Sequence, residues 1–558
     1  MLDLPFASLL RVAVLAAVIF PALPAAAAAQ QEPPLTRADT LRGTITPERA
    51  WWDVAYYDLA VHVNPASSSI AGSNVIEYRV VTEGPDRDMQ LDLAATMTVD
   101  SILANGSPAE WRRDGNVLYL RAPGGAAGSV HRVAVHYGGK PLVAANAPWD
   151  GGFVWARDPR GAPWVGTAVQ GTGASVWWPT KDHQSDEPDS MRIRVTVPDP
   201  MIAVTNGRPG PVVANPGGTS TYTWTVSNPI STYSISISAG DYVRFGETFD
   251  GEAGPLSLDY WVLEPHLADA RRHFAQVPEV LTCFETWFGP YPFYEDSFKL
   301  VESPYLGMEH QSAIAYGNRF VNGYLGQDLS GTGLGLSWDY IIVHEAAHEW
   351  WGNNVTTDDI ADMWVHEGFG NYAEGIFVEC RQGEEAGARY IRGLRAGIAN
   401  DGPVIGPYGV NREGSGDMYP KGANLLHTIR QVVDDTDLWR SILRGLNETF
   451  RHETVTSAEV EAYVSDRAGR DFGPVFDQYL RRASLPILEL AVRDGTLSYR
   501  WRAEVEGFDL PVRVTLAPDR FAWIYPETGE WKTEPVELPS SVQVQVDEDL
   551  YILVDRVP

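Results

Sequence analysis

Apolar and polar residues alternate in short runs between residues 51 and 260 of the chain. The clearest runs are residues 56–65, 73–81, 190–198 and 232–240. Turn signals such as Asn105-Gly106 separate them. Because successive side chains of a strand point to opposite faces of a sheet, this alternation predicts half-buried β-strands. We therefore predict a large antiparallel β domain in residues 30–264.

The hydrophobic period lengthens towards that of a helix after about residue 265. Helical patterns occur in residues 267–288, around His344, around Glu367 and from Lys421 onward. Thr456 and Glu459 have the spacing of a capping box, which predicts the start of another helix. These patterns predict a second domain, residues 265–485, in which helices dominate.

Alternation returns after residue 485, in residues 496–505 and 540–554. Runs of this kind predict strands, and the segment is long enough for a few of them. We therefore predict a small C-terminal β domain, residues 486–558. The whole chain is expected to be a multidomain α+β protein.

The first 29 residues have the composition of a secretory signal peptide. Arg11 precedes an apolar stretch, residues 12–20, and two prolines separate that stretch from the small-residue tract 25–29. The apolar run is too short and too interrupted to span a membrane comfortably. We therefore predict cleavage near Ala29, export to the periplasm or the medium, and no stable membrane insertion afterwards.

The chain of 558 residues is 44% hydrophobic and contains 19 tryptophans, which indicates large packed cores. Its formal net charge of −30 argues against nucleic acid or an anionic membrane as a partner. A soluble acidic surface accounts for that charge, and the oligomeric state stays open. Cys283 and Cys380 are the only cysteines, so there is no disulfide framework. Export would permit one bridge, but we expect two buried free thiols.

Two histidines interrupt the apolar run that opens residues 341–354, IIVHEAAHEWWGNN. Because a helix turns by about 100° per residue, His348 lies about 40° and Glu345 about 100° from His344 around its axis. Two neutral imidazoles one turn apart can bind one Zn²⁺, and the carboxylate beside them can act on a water molecule. A chance match on a buried helix is the alternative, with a frequency on the order of one or two per cent.

A third candidate ligand, Glu367, lies in the segment DMWVHEGFGNYAE, residues 362–374. It follows His348 with eighteen residues between them. Two histidines and a glutamate with one open position are a common catalytic zinc set. A solvated glutamate at a helix start is the alternative. The aromatic and glycine neighbours of Glu367 favour a packed setting.

These two segments resemble those of the zinc aminopeptidases related to aminopeptidase N and leukotriene hydrolase, peptidase family M1. The family pattern is H-E-x-x-H, eighteen residues and then E, which His344, Glu345, His348 and Glu367 match. The stretches HEWWGNNVT (residues 348–356), EGFGNYAE (residues 367–374) and FGPYPF (residues 288–293) match as well. The resemblance implies an N-terminal β saddle, a thermolysin-like catalytic domain with one zinc ion, and a small C-terminal β domain.

A second family signature, G-x-M-E-N, has its counterpart in LGMEH, residues 306–310. The resemblance implies that Glu309 binds the free α-amine of the substrate, with Gly307 in the free position of the pattern. Leu306 and His310 replace the glycine and the asparagine of the family. An exposed glutamate on an edge strand is the alternative for Glu309 taken alone.

The same resemblance assigns further residues around the zinc. Gln170, in QGTGASVWWP, takes the place of a family glutamine that lines the cleft. Tyr419, in MYPKGANLLHTIR, matches the catalytic tyrosine, and Tyr408 is its nearest rival in sequence. Glu374 is either a second-shell residue that orients a zinc histidine or a solvated helix charge. His366 replaces a family asparagine, and we interpret it as a neighbouring polar residue.

These residues predict an exported zinc metallopeptidase that removes N-terminal residues from peptides with a free N-terminus. A zinc-activated water would attack the first peptide bond, Glu345 would transfer its proton, and Tyr419 would donate to the oxyanion. Two alternatives stay open. One is a zinc endopeptidase of the same fold, and the other is a non-catalytic binding member, which the presence of ligands, base and tyrosine disfavours.

Overall fold

The computed structural model describes residues 34–518, 520–539 and 542–558. The predicted signal peptide, residues 1–29, lies outside the described residues. Residues 37–558 form one unit, and residues 1–36 are assigned to another, of which residues 34–36 are described. In the described ranges, no helix combines the length and the apolar character needed to cross a membrane.

The N-terminal region is rich in strands, as the alternation predicts. It opens with helices α1 (Arg37–Gly43) and α2 (Pro47–Ala50). Its strands are β1 (Trp52–Asn64), β2 (Ser69–Val80), β3 (Arg87–Asp92), β4 (Met97–Ala104), β5 (Ser107–Pro108), β6 (Trp111–Asp114), β7 (Val117–Ala122), β8 (Val130–Gly139), β9 (Gly152–Arg157), β10 (Pro163–Ala168), β11 (Ser190–Pro198), β12 (Ile202–Val204), β13 (Arg208–Asn215), β14 (Thr219–Val226) and β15 (Ser238–Gly240).

These strands form three sheets, ordered β13-β14-β11-β1-β2-β8-β4-β5, β12-β15-β10-β9 and β3-β7-β6. Their inward faces bury one apolar core, to which Leu59 and Ile193 belong. These two residues are partners in the pairing of β1 with β11, which is parallel in an otherwise antiparallel region. The run predicted as a strand over residues 232–240 pairs only in β15, because its first residues form a short 3₁₀ turn, Thr232–Ser234.

The central region mixes strands with helices. Its elements are β16 (Tyr242–Gly251), β17 (Gly254–Leu263), α3 (Leu267–His273), α4 (Val277–Phe288), β18 (Phe298–Glu302), β19 (Gly307–Met308), β20 (Ile314–Tyr316), α5 (Tyr340–Ala347), β21 (Val355–Thr357), α6 (Trp364–Gln382), α7 (Glu384–Leu394), α8 (Pro420–Val433), α9 (Thr436–Thr449), β22 (Glu453–Val455), α10 (Ser457–Ala468) and α11 (Gly473–Leu480). Thr456 and Glu459 form the predicted capping box at the start of α10.

A five-stranded sheet, ordered β16-β17-β18-β20-β19, lies in the central region. Its first hairpin, β16 and β17, falls within the range predicted for the N-terminal domain, residues 30–264. However, β17 pairs in parallel with β18, so this sheet begins at Tyr242, before the predicted start at residue 265. Alternation alone does not separate the two regions, because both use half-buried strands at this point.

The two faces of the central sheet are covered by different layers. Leu300 and Ile314 belong to the core that contains the helices, whereas Val301 and Ala315 pack into the core of the N-terminal β region. Adjacent residues of a strand point to opposite faces, so the sheet is buried on both sides. Strand β19, at the edge of this sheet, is thereby held in a fixed position.

The two cysteines pair in the structure. Cys283 of α4 and Cys380 of α6 form a disulfide, with their Cα atoms 6.1 Å apart. The expectation of two free thiols is therefore wrong. The two residues are 97 positions apart, and their meeting depends on the packing of α4 against α6, which no local pattern reveals.

The C-terminal region returns to strands, as predicted. They are β23 (Ile487–Arg493), β24 (Thr496–Arg502), β25 (Val512–Ala517), β26 (Arg520–Ile524), β27 (Lys532–Pro535) and β28 (Leu553–Arg556). The order β27-β24-β23-β28 forms one sheet and β25-β26 another. Within the described part of the run predicted over residues 540–554, Leu553 and Val554 pair in a sheet. Before them, Val546 forms an isolated antiparallel bridge with Val514, and the N–H of Thr515 donates to the carbonyl oxygen of Gln545 at 2.9 Å. The predicted multidomain α+β class is confirmed.

Candidate active site

Helix α5 carries two candidate ligands and the candidate base. Asp339 caps the helix, because its Oδ1 accepts the N–H of Ile342 at 3.1 Å. The apolar residues of the helix pack into the core, and His344, Glu345 and His348 are buried with them. The Nε2 atoms of the two histidines lie 3.2 Å apart. The helical spacing thus places both imidazoles on one side, as the sequence predicts.

Helix α6 brings Glu367 to the two histidines. This residue lies in the first turn, where its Oε2 is 3.4 Å from His348 Nε2 and 3.6 Å from His344 Nε2. The same oxygen is buried and has no hydrogen-bond partner in the described part of the chain. Since buried polar atoms normally have partners, this oxygen indicates a site for a metal ion.

The second nitrogen of each imidazole fixes the orientation of its ring. His344 Nδ1 donates to Glu374 Oε1 at 2.8 Å, and His348 Nδ1 donates to the carbonyl oxygen of Trp351 at 2.9 Å. With Nδ1 protonated, each Nε2 directs a lone pair towards Glu367. Two nitrogen lone pairs and one carboxylate oxygen, all within 4.8 Å of one another, fit Zn²⁺ with one position left open.

His366 stands apart from this donor set although it precedes Glu367 in sequence. Its Nε2 accepts the N–H of Thr357 at 3.0 Å. Burial lowers the pKa of His366 to about 3, so the ring is neutral. This geometry agrees with the interpretation of His366 as a neighbouring polar residue.

The site concentrates negative charge in a buried space. Burial raises the pKa of Glu345 to about 8, and the Glu309 carboxylate adds to the rise. A divalent cation balances such a surplus of carboxylates. A carboxyl group with a raised pKa is suited to accept and return a proton near neutral pH.

Glu309 lies at one end of the site, immediately after β19. The amide nitrogen of Gln170 donates to Glu309 Oε1 at 2.7 Å and to Glu367 Oε1 at 2.9 Å. Glu309 is buried, so it is not an exposed edge-strand glutamate. A Cβ atom at Gly307 would lie 2.9 Å from Glu345 Oε1, which explains the need for glycine there. The structure thus brings these five sequence-predicted residues together.

Tyr419 and Tyr408 occupy different environments. Tyr419 lines the cleft, and its ring centroid lies 6.1 Å from that of His344. Burial and the Glu367 carboxylate raise the pKa of Tyr419 well above 10, so its hydroxyl stays protonated. Tyr408 is 56% exposed, and its hydroxyl donates to Asp362 Oδ1 at 2.6 Å. The geometry therefore favours Tyr419 over Tyr408 as the candidate catalytic tyrosine.

The cleft contains residues that the sequence did not single out. Its volume is about 420 Å³, and its lining includes Trp149, Tyr324 and Glu413. Burial raises the pKa of Glu413 to about 7, and the Glu367 carboxylate contributes to this rise. No motif or period marks these positions, because they reach the cleft from loops.

The carboxylate of Glu374 has further partners that the sequence analysis missed. Asn371 Nδ2 donates to its Oε1 at 2.8 Å, and the Tyr390 hydroxyl donates to its Oε2 at 2.7 Å. Residues three apart on a helix are neighbours, so the helical spacing was a signal for Asn371. Tyr390 comes from another helix, α7, and no local signal reveals it.

Comparison with known proteins gives three kinds of match. Residues 273–402 match the model of the peptidase family M1 domain. Aminopeptidase B of Mus musculus is 23% identical over 471 residues, which cover 76% of this chain and 67% of the relative. Leucine aminopeptidase 2 of Vanderwaltozyma polyspora is 30% identical over 228 residues, which cover 40% of this chain and 31% of the relative. The chain thus matches about a third of the second relative's length.

Solved structures match as well. An M1 zinc metallopeptidase of Deinococcus radiodurans has a TM-score of 0.65 at 21% identity, over 78% of this chain and 95% of that chain. A mutant M1 zinc metallopeptidase of the same organism, bound to Tyr-Ser-Ala, also has a TM-score of 0.65 at 21% identity, over 78% of this chain and 96% of that chain. At this identity the likeness establishes the fold.

Proposed function

The chain belongs to peptidase family M1, and on this premise we propose that it is a zinc-dependent aminopeptidase. One observation carries the proposal: the amide of Gln170 holds Glu309 beside the zinc ligand Glu367. A protonated α-amine bound here meets buried carboxylates next to the metal ligands. A peptide held by its amine therefore presents its first peptide bond to the metal and to Glu345.

Five residues of the cleft have roles in the proposed reaction. Zinc, when held by His344, His348 and Glu367, supplies a Lewis acid that polarises a carbonyl group and lowers the pKa of water from about 16 towards roughly 7. Glu345 accepts the proton of the attacking water and passes it to the leaving amine. Tyr419 donates a hydrogen bond to the oxyanion that develops on the scissile carbonyl.

Peptides with a free N-terminus are the proposed substrates. The names of the curated relatives, aminopeptidase B and leucine aminopeptidase 2, support this choice. The tripeptide Tyr-Ser-Ala in the related metallopeptidase supports it too. A zinc endopeptidase would use the same ligands and the same base, so the role of Glu309 separates the two functions.

Matched peptides, one with a free N-terminus and one acetylated, test the proposal on the zinc-loaded protein. The wild type is expected to cleave the free peptide and to act poorly on the acetylated one. Glu309→Ala should lower kcat/KM for the free peptide by roughly 10- to 100-fold, since a hydrogen bond between charged groups contributes about 1.5–3 kcal/mol. Glu385→Ala is the matched control, because Glu385 is 81% exposed on α7.

Two outcomes would contradict the proposal. Equal cleavage of both peptides by the wild type would favour the endopeptidase. Absence of hydrolysis with zinc bound would favour the non-catalytic member. A loss of activity in Glu385→Ala equal to that in Glu309→Ala would show a general effect of removing a glutamate.

We also propose that the protein is exported to the periplasm or the medium. The composition of residues 1–29 supports export. The Cys283–Cys380 disulfide supports it as well, because disulfides persist in oxidising compartments. N-terminal sequencing of the protein from separated cell fractions is the test, with a start near Gln30 expected outside the cytoplasm. A chain that retains residues 1–29 in the cytoplasm would contradict export.

A further inference from the structure

Strand β19 offers an open edge to the cleft. Among the described strands it pairs with β20 alone, at the end of the central sheet. A Cβ atom at Gly307 would lie 2.9 Å from Glu345 Oε1, so this part of the strand borders the catalytic residues. An open strand edge can pair with an extended peptide through backbone hydrogen bonds. A substrate can therefore lie along residues 306–309.

The proposed function determines the direction of that peptide. Its α-amine lies at Glu309 and its first peptide bond beside Glu345, so its remaining residues run towards Leu306, antiparallel to β19. A strand advances by about 3.3 Å per residue. The first residue then lies beside Met308, the second beside Gly307 and the third beside Leu306.

A second cavity opens beside Leu306, and we call it the Trp149 cavity. Its volume is about 520 Å³. Its apolar lining includes Trp149, Trp164, Tyr305, Leu306, Phe320 and Leu325. Trp149 and Leu306 also line the catalytic cleft, so the two spaces are adjacent at these residues.

The aromatic side chains of the Trp149 cavity have partners for their buried polar atoms. Trp164 Nε1 donates to the hydroxyl of Tyr242 at 2.9 Å, and the Tyr305 hydroxyl donates to the carbonyl oxygen of Thr167 at 2.6 Å. The rings are thus held in place, and their faces remain for apolar contact. Trp149 is 63% exposed, which is unusual for so large an apolar side chain.

The carboxylates of the lining are already paired. Glu302 accepts a hydrogen bond from His266 Nδ1 at 2.6 Å, and Asp269 pairs with Arg272. A basic side chain would find no unpaired carboxylate on this lining. Arg319 is the remaining charged lining residue, so an acidic side chain is the main competitor to an apolar one.

We propose that the Trp149 cavity binds an apolar or aromatic side chain at the third residue of the peptide substrate. The inference rests on the proposed aminopeptidase function and specifies its substrates as peptides of three or more residues. Burial of apolar surface is favourable in proportion to its area. The aromatic walls beside Leu306 therefore select for phenylalanine or leucine at this position.

A set of amidated tetrapeptides tests the proposal on the zinc-loaded protein. Leu-Ala-Ala-Ala is the reference, and phenylalanine is placed at the second, third or fourth position, with glutamate at the third as a further arm. Phenylalanine at the third position is expected to raise kcat/KM roughly tenfold, as partial burial of one ring implies. A larger gain at another position, or from glutamate, overturns the assignment.

The same peptides separate this inference from the function on which it rests. If the zinc-loaded wild type cleaves none of them, both proposals fail. If it cleaves all of them at equal rates, only the role of the Trp149 cavity is overturned.

Substitution of Leu325 tests the cavity directly. Leu325→Asp places a charge in the lining, and aspartate tolerates the backbone there, where φ is +50°. The kcat/KM ratio of the third-position phenylalanine peptide to the reference should fall to about one. Leu329→Asp is the matched control, because Leu329 is 46% exposed and lies outside the lining.

The proposal is overturned if this kcat/KM ratio also falls to about one in Leu329→Asp. It is overturned as well if the ratio in Leu325→Asp stays at the wild-type value. If Leu325→Asp does not fold, Leu325→Asn supplies the same measurement with a neutral polar side chain, which also fits this backbone conformation.

Discussion

Removal of the Glu374 carboxylate should weaken zinc binding without any change in the zinc ligands. Glu374 is buried on α6, two turns beyond Glu367. Its Oε1 accepts hydrogen bonds from His344 Nδ1 and Asn371 Nδ2, each at 2.8 Å, and its Oε2 accepts one from the Tyr390 hydroxyl at 2.7 Å. The carboxylate therefore holds the His344 ring with its Nε2 lone pair towards the metal position.

Glu374→Ala removes the acceptor that lies 2.8 Å from His344 Nδ1 and leaves the Tyr340 hydroxyl, at a long 3.4 Å, as the remaining neighbour. A buried group left poorly satisfied in this way costs about 1–3 kcal/mol. The ring loses its preferred tautomer at the same time. Partners of metal ligands typically contribute 10- to 100-fold in metal affinity. We therefore expect the zinc Kd of Glu374→Ala to rise by about 10- to 100-fold, equivalent to about 1.4–2.7 kcal/mol. Glu374→Gln keeps an acceptor but loses the charge, so the rise in its zinc Kd should lie near the lower limit of this range.

Competition with a chelator of known affinity measures the zinc Kd of each variant. Glu379→Ala is the control, because Glu379 lies on the same helix and pairs with Arg430, with N–O distances of 2.6 and 2.9 Å. Its loss should affect stability but not zinc affinity. If the zinc Kd of Glu374→Ala lies within about threefold of that of the wild type, Glu374 does not orient the His344 ring for zinc binding, and this role is refuted.

Tyr419→Phe is expected to lower kcat by about 10²–10³ with zinc content unchanged, and Tyr408→Phe to be nearly silent, in steady-state kinetics. Reduction of the Cys283–Cys380 disulfide is expected to lower the free energy of unfolding by about 2–4 kcal/mol, measured by denaturant titration. Burial lowers the pKa of His310 to about 3, so below about pH 6.5 the unfolded chain binds a proton that the folded protein does not. The contribution of His310 to the free energy of unfolding is therefore present above that pH and is lost on acidification. His310→Asn should reduce the fall in the free energy of unfolding between about pH 6 and 4 by about 1.4 kcal/mol per pH unit.

Each of these predictions has its own control. A silent Tyr419→Phe beside an inactive Tyr408→Phe would reverse the choice of tyrosine. An unchanged unfolding midpoint after verified reduction would show that the disulfide adds nothing to stability. For the pH series, His62→Asn replaces an exposed histidine and should leave the slope unaltered. Equal slopes in His310→Asn and the wild type would contradict the account of acid sensitivity.

Strand prediction succeeded where one face of a strand is buried and the other is not. Residues 56–65 and 190–198 alternate for this reason, and they lie in β1 and β11. Residues 232–240 have the same alternation but join a sheet only at their end, in β15. Ser234 Oγ donates to Asn353 Oδ1 at 2.9 Å, so a contact with the loop after α5 replaces strand pairing. A partner 119 residues away leaves no trace in the local pattern.

The zinc ligands were predictable because their geometry is largely local. His344 and His348 meet through the pitch of one helix, and the spacing to Glu367 follows a known family pattern. Trp149 and Glu413 were not predictable, because loops without a period carry them into the cleft. The resemblance identified the residues that we propose to act in the reaction and missed those that line the rest of the cleft.

The N-terminal β region contacts Glu309 more extensively than it contacts the three zinc ligands. Gln170 follows β10 of the N-terminal β region, yet its amide bonds both Glu309 and Glu367 of the central region. Asn353 links the same parts, because its Nδ2 donates to the carbonyl oxygen of Glu309 at 2.9 Å while its Oδ1 accepts from Ser234. A displaced β region would therefore remove one hydrogen bond from Glu367, whereas Glu309 would lose its bond to Gln170 and the anchored position of Asn353. We therefore expect the proposed recognition of a free N-terminus to be more sensitive than zinc binding to the packing between the two regions.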